Sequence, residues 1–359
     1  MQEKPDSITK AHLFTGRAVD QLRRQLPIVL EEDNGKAIGI YPLEGLTENI
    51  LLNLKKSSKN YSLLLTSIRA KWLGLESDNP HIALIPAQNM TFTEIQTCAD
   101  PLVDEKIYSG LTLLPTTSTH ATAMRLTKHA SLLPALLLIE DADFPTEWLR
   151  VSTHDVGAYW ASPPMDIVPV TQASLPIKGA EKTKLICFRD RFGTSTHLTL
   201  IIGDALTEDA PLTRIHSSCV TGDILGSLRC DCCSQLQLSI AQMVKQGSGI
   251  LVYLHQEGRG IGIANKLRAY ALQERGIDTY DANLMLGFGE DERDFSIAAE
   301  ILKSLGKTRI SLLTNNPRKI ENIKSYGIAV ADRVPVVIPA GAHNQEYLNA
   351  KVKKSGHLF

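Results

Sequence analysis

Residues 214–232 read RIHSSCVTGDILGSLRCDC and contain three cysteines, Cys219, Cys230 and Cys232, separated by ten residues and then by one. Zinc accepts thiolate ligands at tetrahedral geometry, and a catalytic zinc site keeps one position open for water. The single residue between Cys230 and Cys232 differs from the wider gap of zinc-finger knuckles. We therefore expect the three cysteines to bind a catalytic zinc ion.

Two other interpretations of this stretch are open. Cys233 could supply a fourth ligand, but adjacent residues rarely approach one ion from both sides. The cysteines could instead be buried thiols of an apolar core. Charged neighbours such as Asp223, Arg229 and Asp231 make the stretch too polar for a core strand, so we favour metal binding.

The composition sets limits on the rest of the chain. The 359 residues are enough for two domains, and the 38 Lys and Arg against 39 Asp and Glu exclude a general basic field for nucleic acid. The amino terminus has no apolar signal segment, and no apolar run is long enough to span a membrane. We expect a cytoplasmic protein without membrane or nucleic-acid partners, in which six cysteines do not form a disulfide framework.

The chain is predicted to have a mixed α/β fold (α+β) in two domains, residues 1–165 and 166–359. Three prolines in the stretch 160–174 mark the boundary. The runs KLICFRD and HLTLIIGD, joined by a polar turn, predict a β-hairpin at the start of the second domain. Strand and helix patterns then alternate, with helices expected at 234–246 and 291–305.

The turn EGRGIG, residues 257–262, follows a strand and opens a helix, where backbone amides and Arg259 can bind an anion. Its glycine spacing does not match the dinucleotide fingerprint. A purely structural turn remains an alternative. Asp291 could likewise be a helix cap or a base, with Arg293 as a phosphate-binding group. The loop TNNPRKI, residues 314–320, is a weak ligand-binding signal on its own.

Taken together, the stretch 214–232, QEGRGIGIANKLRAYALQ, LGFGEDERDF, LLTNNPRKI and the terminal YLNAKVKKSGHLF closely resemble GTP cyclohydrolase II, over residues 173–359. That family opens the imidazole ring of GTP, and releases formate and pyrophosphate, in the first step of riboflavin synthesis. The resemblance implies one Zn²⁺ per subunit, Mg²⁺ with the GTP phosphates, and a homodimer.

The resemblance also implies roles for individual residues. Asp291 would be the proton acceptor, Arg293 the nucleophile toward the α-phosphate, and Tyr270 would assist ring opening. The zinc ligands would be Cys219, Cys230 and Cys232. Contacts to the nucleotide would come from Arg214, Ile215, His216, Ser217, Ser218, Gln235, Glu257, Gly258, Arg259, Thr279, Thr314 and Lys319.

The chain departs from the family pattern at several positions, among them Ser218 in place of Glu and His255 in place of Arg. A second hypothesis is therefore a GTP-binding homologue with a regulatory or scaffold role and no turnover. A third, a structural zinc module on nucleic acid, is weakened by the net charge of -1. The stretch GRAVDQLRRQLPIVLEEDNGKAIG faintly resembles dihydroxybutanone phosphate synthase without its acidic magnesium loop, which implies a degenerate first domain.

Overall fold

The computed structural model describes residues 7–57, 60–103, 110–140, 143–161, 167–190 and 195–338. The chain divides into two compact units: unit 1 comprises residues 1–163 and 261–292, and unit 2 comprises residues 164–260 and 293–359. The predicted domain division between residues 165 and 166 lies two residues after the boundary of these units, and residues 261–292 belong to unit 1. The terminal motif YLNAKVKKSGHLF lies outside the described residues.

Unit 1 contains a six-stranded sheet in the order β4-β3-β5-β2-β1-β6. Its strands are β1 Ile28–Glu31, β2 Ala37–Pro42, β3 Asn60–Thr66, β4 Ile82–Pro86, β5 Ala135–Glu140 and β6 Leu149–Ser152. Neighbouring strands are antiparallel except β1 and β6, which are parallel. The helices of unit 1 are α1 Ser7–Arg23, α2 Glu48–Ser57, α3 Ser67–Trp72, α4 Phe92–Ala99, α5 Ser118–His129, α6 Thr153–Ala161, α8 Ile263–Glu274 and α9 Thr279–Met285.

Helices cover both faces of this sheet, which explains the continuous apolar sequence of its central strands. Side chains alternate between the faces of a strand. Leu136 and Leu138 therefore pack with Leu22 of α1 and Leu126 of α5. On the opposite face, Leu137 packs into a cluster that includes residues of α4, α8 and α9. The apolar faces of α8 and α9 are thus part of the core of unit 1.

Unit 2 contains a seven-stranded mixed sheet in the order β13-β12-β10-β11-β9-β8-β7. Its strands are β7 Ile167–Ser174, β8 Thr183–Asp190, β9 Thr196–Ile202, β10 Leu212–Ser217, β11 Gly249–Leu254, β12 Arg309–Leu313 and β13 Ala329–Val334. Its helices are α7 Cys232–Gln246, α10 Ser296–Ser304 and α11 Pro317–Ser325. The pairs β10–β11, β10–β12 and β12–β13 are parallel. The pairs β7–β8, β8–β9 and β9–β11 are antiparallel.

The mixed α/β fold class is confirmed, and so is the hairpin, since β8 and β9 form an antiparallel pair. The position of β10 in the sheet decides the position of the site. Ile215 packs in the core with Leu302 of α10 on one face, whereas Met243 of α7 belongs to the apolar cluster of the other face. The helix predicted to begin at Asp291 begins instead at Ser296.

Candidate active site

The three cysteines of the opening stretch come together in unit 2. Cys219 follows the end of β10, Cys232 is the first residue of α7, and Cys230 lies two residues before it. Their sulfur atoms all lie within 4.8 Å of one another, and Sγ of Cys219 is 3.7 Å from Sγ of Cys230. Cys233 does not belong to this group. The donor set therefore consists of three sulfur atoms, which suits zinc and not magnesium or calcium.

A single π-helical turn, Val220–Ile224, folds the chain closely around the sulfurs. The amide of Gly222 donates to Sγ of Cys219 at 3.3 Å. A Cβ atom on Gly222 would lie 2.8 Å from Sγ of Cys230, so only glycine fits at this position. Contact with Cys219 and Cys230 raises the pKa of the Cys232 thiol. Three thiolates at this spacing repel one another, and a cation would hold them ionised together.

Asp223 connects the cysteine turn to the sheet. Its Oδ2 accepts hydrogen bonds from the amide of Cys219 at 3.1 Å and from the hydroxyl of Tyr253 at 2.9 Å. Nε2 of His216 lies 3.1 Å from the same oxygen. Burial lowers the pKa of His216 and raises that of Tyr253. The sequence motifs predicted a nucleotide contact for His216. They predicted no role in the site for Tyr253, or for Asp223, although Asp223 lies in the quoted stretch 214–232.

Arg214 is buried and connects β10 to the start of α7. Its Nη1 donates to the carbonyl of Leu313 at 2.9 Å, and its Nη2 donates to Oε1 of Gln235 at 2.5 Å. Nε2 of Gln235 then donates to Oδ2 of Asp231 at 2.6 Å. Burial lowers the pKa of Arg214 to about 10, which leaves it charged at neutral pH. This chain of hydrogen bonds holds Asp231, the residue between Cys230 and Cys232, in place. The sequence did not predict this role for Gln235.

Cationic side chains gather where β10 ends. The guanidinium of Arg293 lies 5.1 Å from the ring centroid of Phe295, and the ammonium of Lys319 lies 5.2 Å from it. Lys319 is only 5% exposed and donates to the carbonyl of Ile215 at 3.0 Å. The charge of Arg293 lowers the pKa of Arg214 further, beyond the larger effect of burial. This concentration of positive charge suits a polyphosphate.

The glycine turn is tied to the cysteine turn through Glu257. One carboxylate oxygen of Glu257 accepts from the amide of Val220 at 2.7 Å, and the other accepts from the amide of Gly258 at 3.1 Å. Gly258 and Arg259 both have left-handed backbone angles, with φ of 65° and 61°. Such a conformation costs an arginine about 1 kcal/mol or more, so strain is concentrated at a residue predicted to bind the nucleotide.

The other predicted contacts of unit 2 lie along β10 and in the loop after β12. Thr314 is buried and its Oγ1 accepts from the amide of Asn316 at 3.0 Å. The hydroxyls of Ser217 and Ser218 are buried without a hydrogen-bond partner in the described part of the chain. Buried hydroxyls are nearly always satisfied in folded proteins, so these two are available to a ligand. The side chain of Ile215 belongs to the core, and its carbonyl accepts a hydrogen bond from Lys319.

Three predicted residues lie in unit 1. Tyr270 is half-buried on α8, Thr279 is the first residue of α9, and Asp291 is exposed in the loop that follows. Asp291 is not a helix cap, because α10 has Phe295 at its N-cap and the amide of Ser296 is bound by Oδ1 of Asp294. The catalytic roles predicted for these residues, and for Arg293 in unit 2, stay predictions.

Comparisons with known proteins show the family of this chain. The sequence family described as GTP cyclohydrolase II matches residues 169–335. The chain is 37% identical to GTP cyclohydrolase-2 of Azospirillum brasilense, over 99% of this chain and 97% of that protein. It is 51% identical to the riboflavin biosynthesis protein RibBA of Bacillus cereus (strain AH187), over 48% of this chain and 44% of that protein. These relatives define the class of the protein as a hydrolase. The chain belongs to the GTP cyclohydrolase II family, whose enzymes act in riboflavin biosynthesis.

One similar solved structure is described as RibBX, a two domain 3,4-dihydroxy-2-butanone 4-phosphate synthase from A. baumannii. It is 14% identical, covers 90% of this chain and 99% of that chain, and has a TM-score of 0.32. A TM-score of this size does not establish a shared fold. Within the described ranges, every helix is too short or too polar to cross a bilayer. The cytoplasmic location and the homodimer stay predictions.

Proposed function

We propose that this protein hydrolyses GTP to formate, pyrophosphate and a diaminopyrimidine ribosylamino phosphate, with zinc bound by Cys219, Cys230 and Cys232. The observation that carries the proposal is the approach of three sulfur atoms within 4.8 Å in the unit that also contains the buried cations Arg214 and Lys319. The overall reaction consumes three water molecules, which break the two bonds of C8 in the imidazole ring and one bond of the α-phosphate. When bound, zinc would supply Lewis-acid chemistry at this site.

The residues of unit 2 would bind and orient the nucleotide. Arg293 and Lys319 would offset the charge of the phosphates, and Mg²⁺ would enter bound to them. The unpartnered hydroxyls of Ser217 and Ser218 support contacts to the base or sugar. Arg293 would lie at the α-phosphate. Its role there would be to stabilise the phosphate charge, because a guanidinium stays protonated. Asp291 would accept a proton and Tyr270 would assist ring opening.

Formate release from GTP tests this proposal directly. Protein loaded with zinc and assayed with magnesium is expected to release formate and pyrophosphate in equal amounts. Cys230→Ser should abolish turnover and reduce the zinc content. Cys187→Ser is the matched control, because Cys187 lies on β8 outside the metal group and should leave both unchanged. Absence of formate from the unchanged protein, or full turnover by Cys230→Ser, would refute the proposal.

A second candidate is a GTP-binding homologue without turnover, with a regulatory or scaffold role. The observation that favours it is Ser218, whose short side chain leaves a buried and unpartnered hydroxyl where the family has a carboxylate. Equilibrium dialysis of GTP together with chromatography of the products separates the two candidates. Binding without product would support the second candidate.

We also propose that unit 1 has no dihydroxybutanone phosphate synthase activity. It contains a cleft of about 1010 Å³ lined by Glu32, His120 and Glu140, among others. The carboxylate of Glu32 is already bound by Thr119 at 2.5 Å and by Asn34 at 2.9 Å. Within the described ranges, the cysteines of unit 2 are the one group of three or more His, Cys, Asp or Glu side chains close enough together to hold a metal ion. Formation of dihydroxybutanone phosphate from ribulose 5-phosphate would overturn this proposal.

A further inference from the structure

The segment 261–292 belongs by sequence to the GTP cyclohydrolase II match but by packing to unit 1. Its two helices, α8 and α9, contain twelve and seven residues. Isolated helices of this length are marginal in water and are stabilised mainly by tertiary packing. The conformation of the segment therefore depends on what unit 1 provides.

Unit 1 provides an apolar core for the segment. The buried apolar residues of the segment pack in the same cluster as strand residues such as Leu63 and Leu137. They are Ile261, Ala269, Leu272, Ala282, Leu286 and Phe288. Removing such side chains from water stabilises a structure by about 25 cal/mol per Å² of apolar area. The segment would lose this contribution without residues 1–163.

Polar contacts fix the start of the segment. Nδ2 of Asn265, which is fully buried, donates to the carbonyl of Ser131 at 3.0 Å. Gly262 has a φ of 85°, and a Cβ atom there would lie 2.9 Å from Cβ of Ser131. The chain is therefore in close contact with the turn that follows α5 at the point where the segment begins.

Arg268 fixes the middle of the segment, two residues before Tyr270. Its guanidinium binds Oε1 of Glu44 at 3.0 Å and Oδ2 of Asp100 at 3.1 Å. The three side chains are between 11% and 22% exposed, so solvent screens these ion pairs less than it would at the surface. Oε1 of Glu44 also accepts from the amide of Leu133 at 2.6 Å.

Two further cations fix the end of the segment. Buried Arg69 donates to the carbonyl of Met285 at 3.1 Å, and also to the carbonyls of Cys98 and Thr97 at 2.9 Å each. Lys128 of α5 lies 2.6 Å from Oε1 of Glu292, which also accepts from the amide of Gly289. Glu292 is the direct neighbour of Asp291.

We propose that unit 1 is a positioning platform for the segment 261–292, and thereby for Tyr270, Thr279 and Asp291. Arg69, Arg268 and Lys128 are its positioning residues. This inference rests on the proposed function for the roles of the three positioned residues. It gives the amino-terminal unit a function that requires no chemistry of its own: it holds a reactive segment in one conformation, and small displacements of reactive groups are costly to a reaction.

The test uses the full-length chain with the variants Arg268→Ala and Lys128→Ala. Arg150→Ala is the matched control, because it breaks the Arg150–Glu31 pair on the surface of the same unit without contact to the segment. Two properties are measured in each variant, namely kcat and KM for formate release, and hydrogen–deuterium exchange of the amides of residues 263–292. Zinc content and circular dichroism show whether each variant is folded and loaded.

Both variants are expected to exchange faster in residues 263–292 and to lose kcat by about tenfold or more, with zinc content unchanged. The control should match the unchanged protein in both measurements. Unaltered exchange in the segment would overturn the proposal, as would faster exchange with a normal kcat. If the unchanged protein released no formate, the proposed function would fail, and the exchange measurement alone would then decide whether unit 1 holds the segment.

Discussion

Oδ2 of Asp223 accepts the amide hydrogen of Cys219 at 3.1 Å. The same carboxylate oxygen is bound by the hydroxyl of Tyr253 and lies near Nε2 of His216. One buried carboxylate thus joins the first cysteine of the cluster to β10 and β11. Groups that orient metal ligands in this way contribute to affinity although they do not touch the ion.

We predict that Asp223→Asn weakens zinc binding by about 10-fold to 100-fold, because an amide offers one acceptor oxygen in place of two. Competition with a chromophoric chelator measures the affinity. Asp209→Asn is the control, since Asp209 belongs to the same unit but its side chain is 78% exposed. Equal zinc affinity in the two variants would show that Asp223 does not orient the cysteines.

Gly222→Ala should disrupt the cysteine cluster. The added Cβ would lie 2.8 Å from Sγ of Cys230 and 3.0 Å from Sγ of Cys219, so the turn or the sulfurs would have to move. Zinc content after gel filtration is expected to fall well below that of the unchanged protein. Gly157→Ala serves for comparison because nothing lies within 4 Å of its Cβ position. A fully loaded Gly222→Ala protein would contradict the proposed geometry.

Lys319→Met is expected to raise KM for GTP by about tenfold, the effect of losing one hydrogen bond to a charged group. Its ammonium lies at the carbonyl end of β10 and is almost fully buried. Lys324→Met on the exposed side of the same helix is the control. Steady-state formate release gives both constants. An unchanged KM in Lys319→Met would remove this lysine from the phosphate site.

Stability should fall in mild acid because of His197. Burial lowers the pKa of this side chain to about 4, whereas an unfolded histidine titrates near about 6.5. Between these values the unfolded chain binds a proton that the folded chain does not. The free energy of unfolding therefore decreases as pH falls from about 6.5 to about 4, by up to about 3 kcal/mol.

Urea unfolding followed by circular dichroism at pH 7.5 and at pH 5 tests this expectation. His197→Asn keeps an acceptor for the amide of His255, which Nδ1 of His197 binds at 3.2 Å. This variant should lose less stability between the two pH values than the unchanged protein. His154→Asn, at an exposed position, should behave like the unchanged protein. Identical pH dependence in all three proteins would exclude His197 as the source.

The sequence by itself determined the features that depend on local spacing. The alternation of apolar residues predicted the hairpin of β8 and β9, and the motifs of residues 214–319 identified the family because long matches in one order are specific. The spacing of Cys219, Cys230 and Cys232 predicted that their sulfurs approach one another, and they do. Where only residue type was available, as for the helix expected to begin at Asp291, the predicted boundary was wrong, because that helix begins at Ser296.

Only the tertiary structure decided which distant residues share an environment. Asp223, in the turn after β10, meets Tyr253 of β11 because β10 and β11 are parallel neighbours, a pairing that no local pattern encodes. Arg214 of β10 and Gln235 of α7 bind each other, and they also bind the carbonyl of Leu313 and the carboxylate of Asp231, because the fold packs α7 against β10. Likewise, residues 261–292 belong to unit 1 although they follow the first part of unit 2 in the sequence. Contacts with residues distant in sequence, such as the ion pairs of Arg268 with Glu44 and Asp100, hold them there.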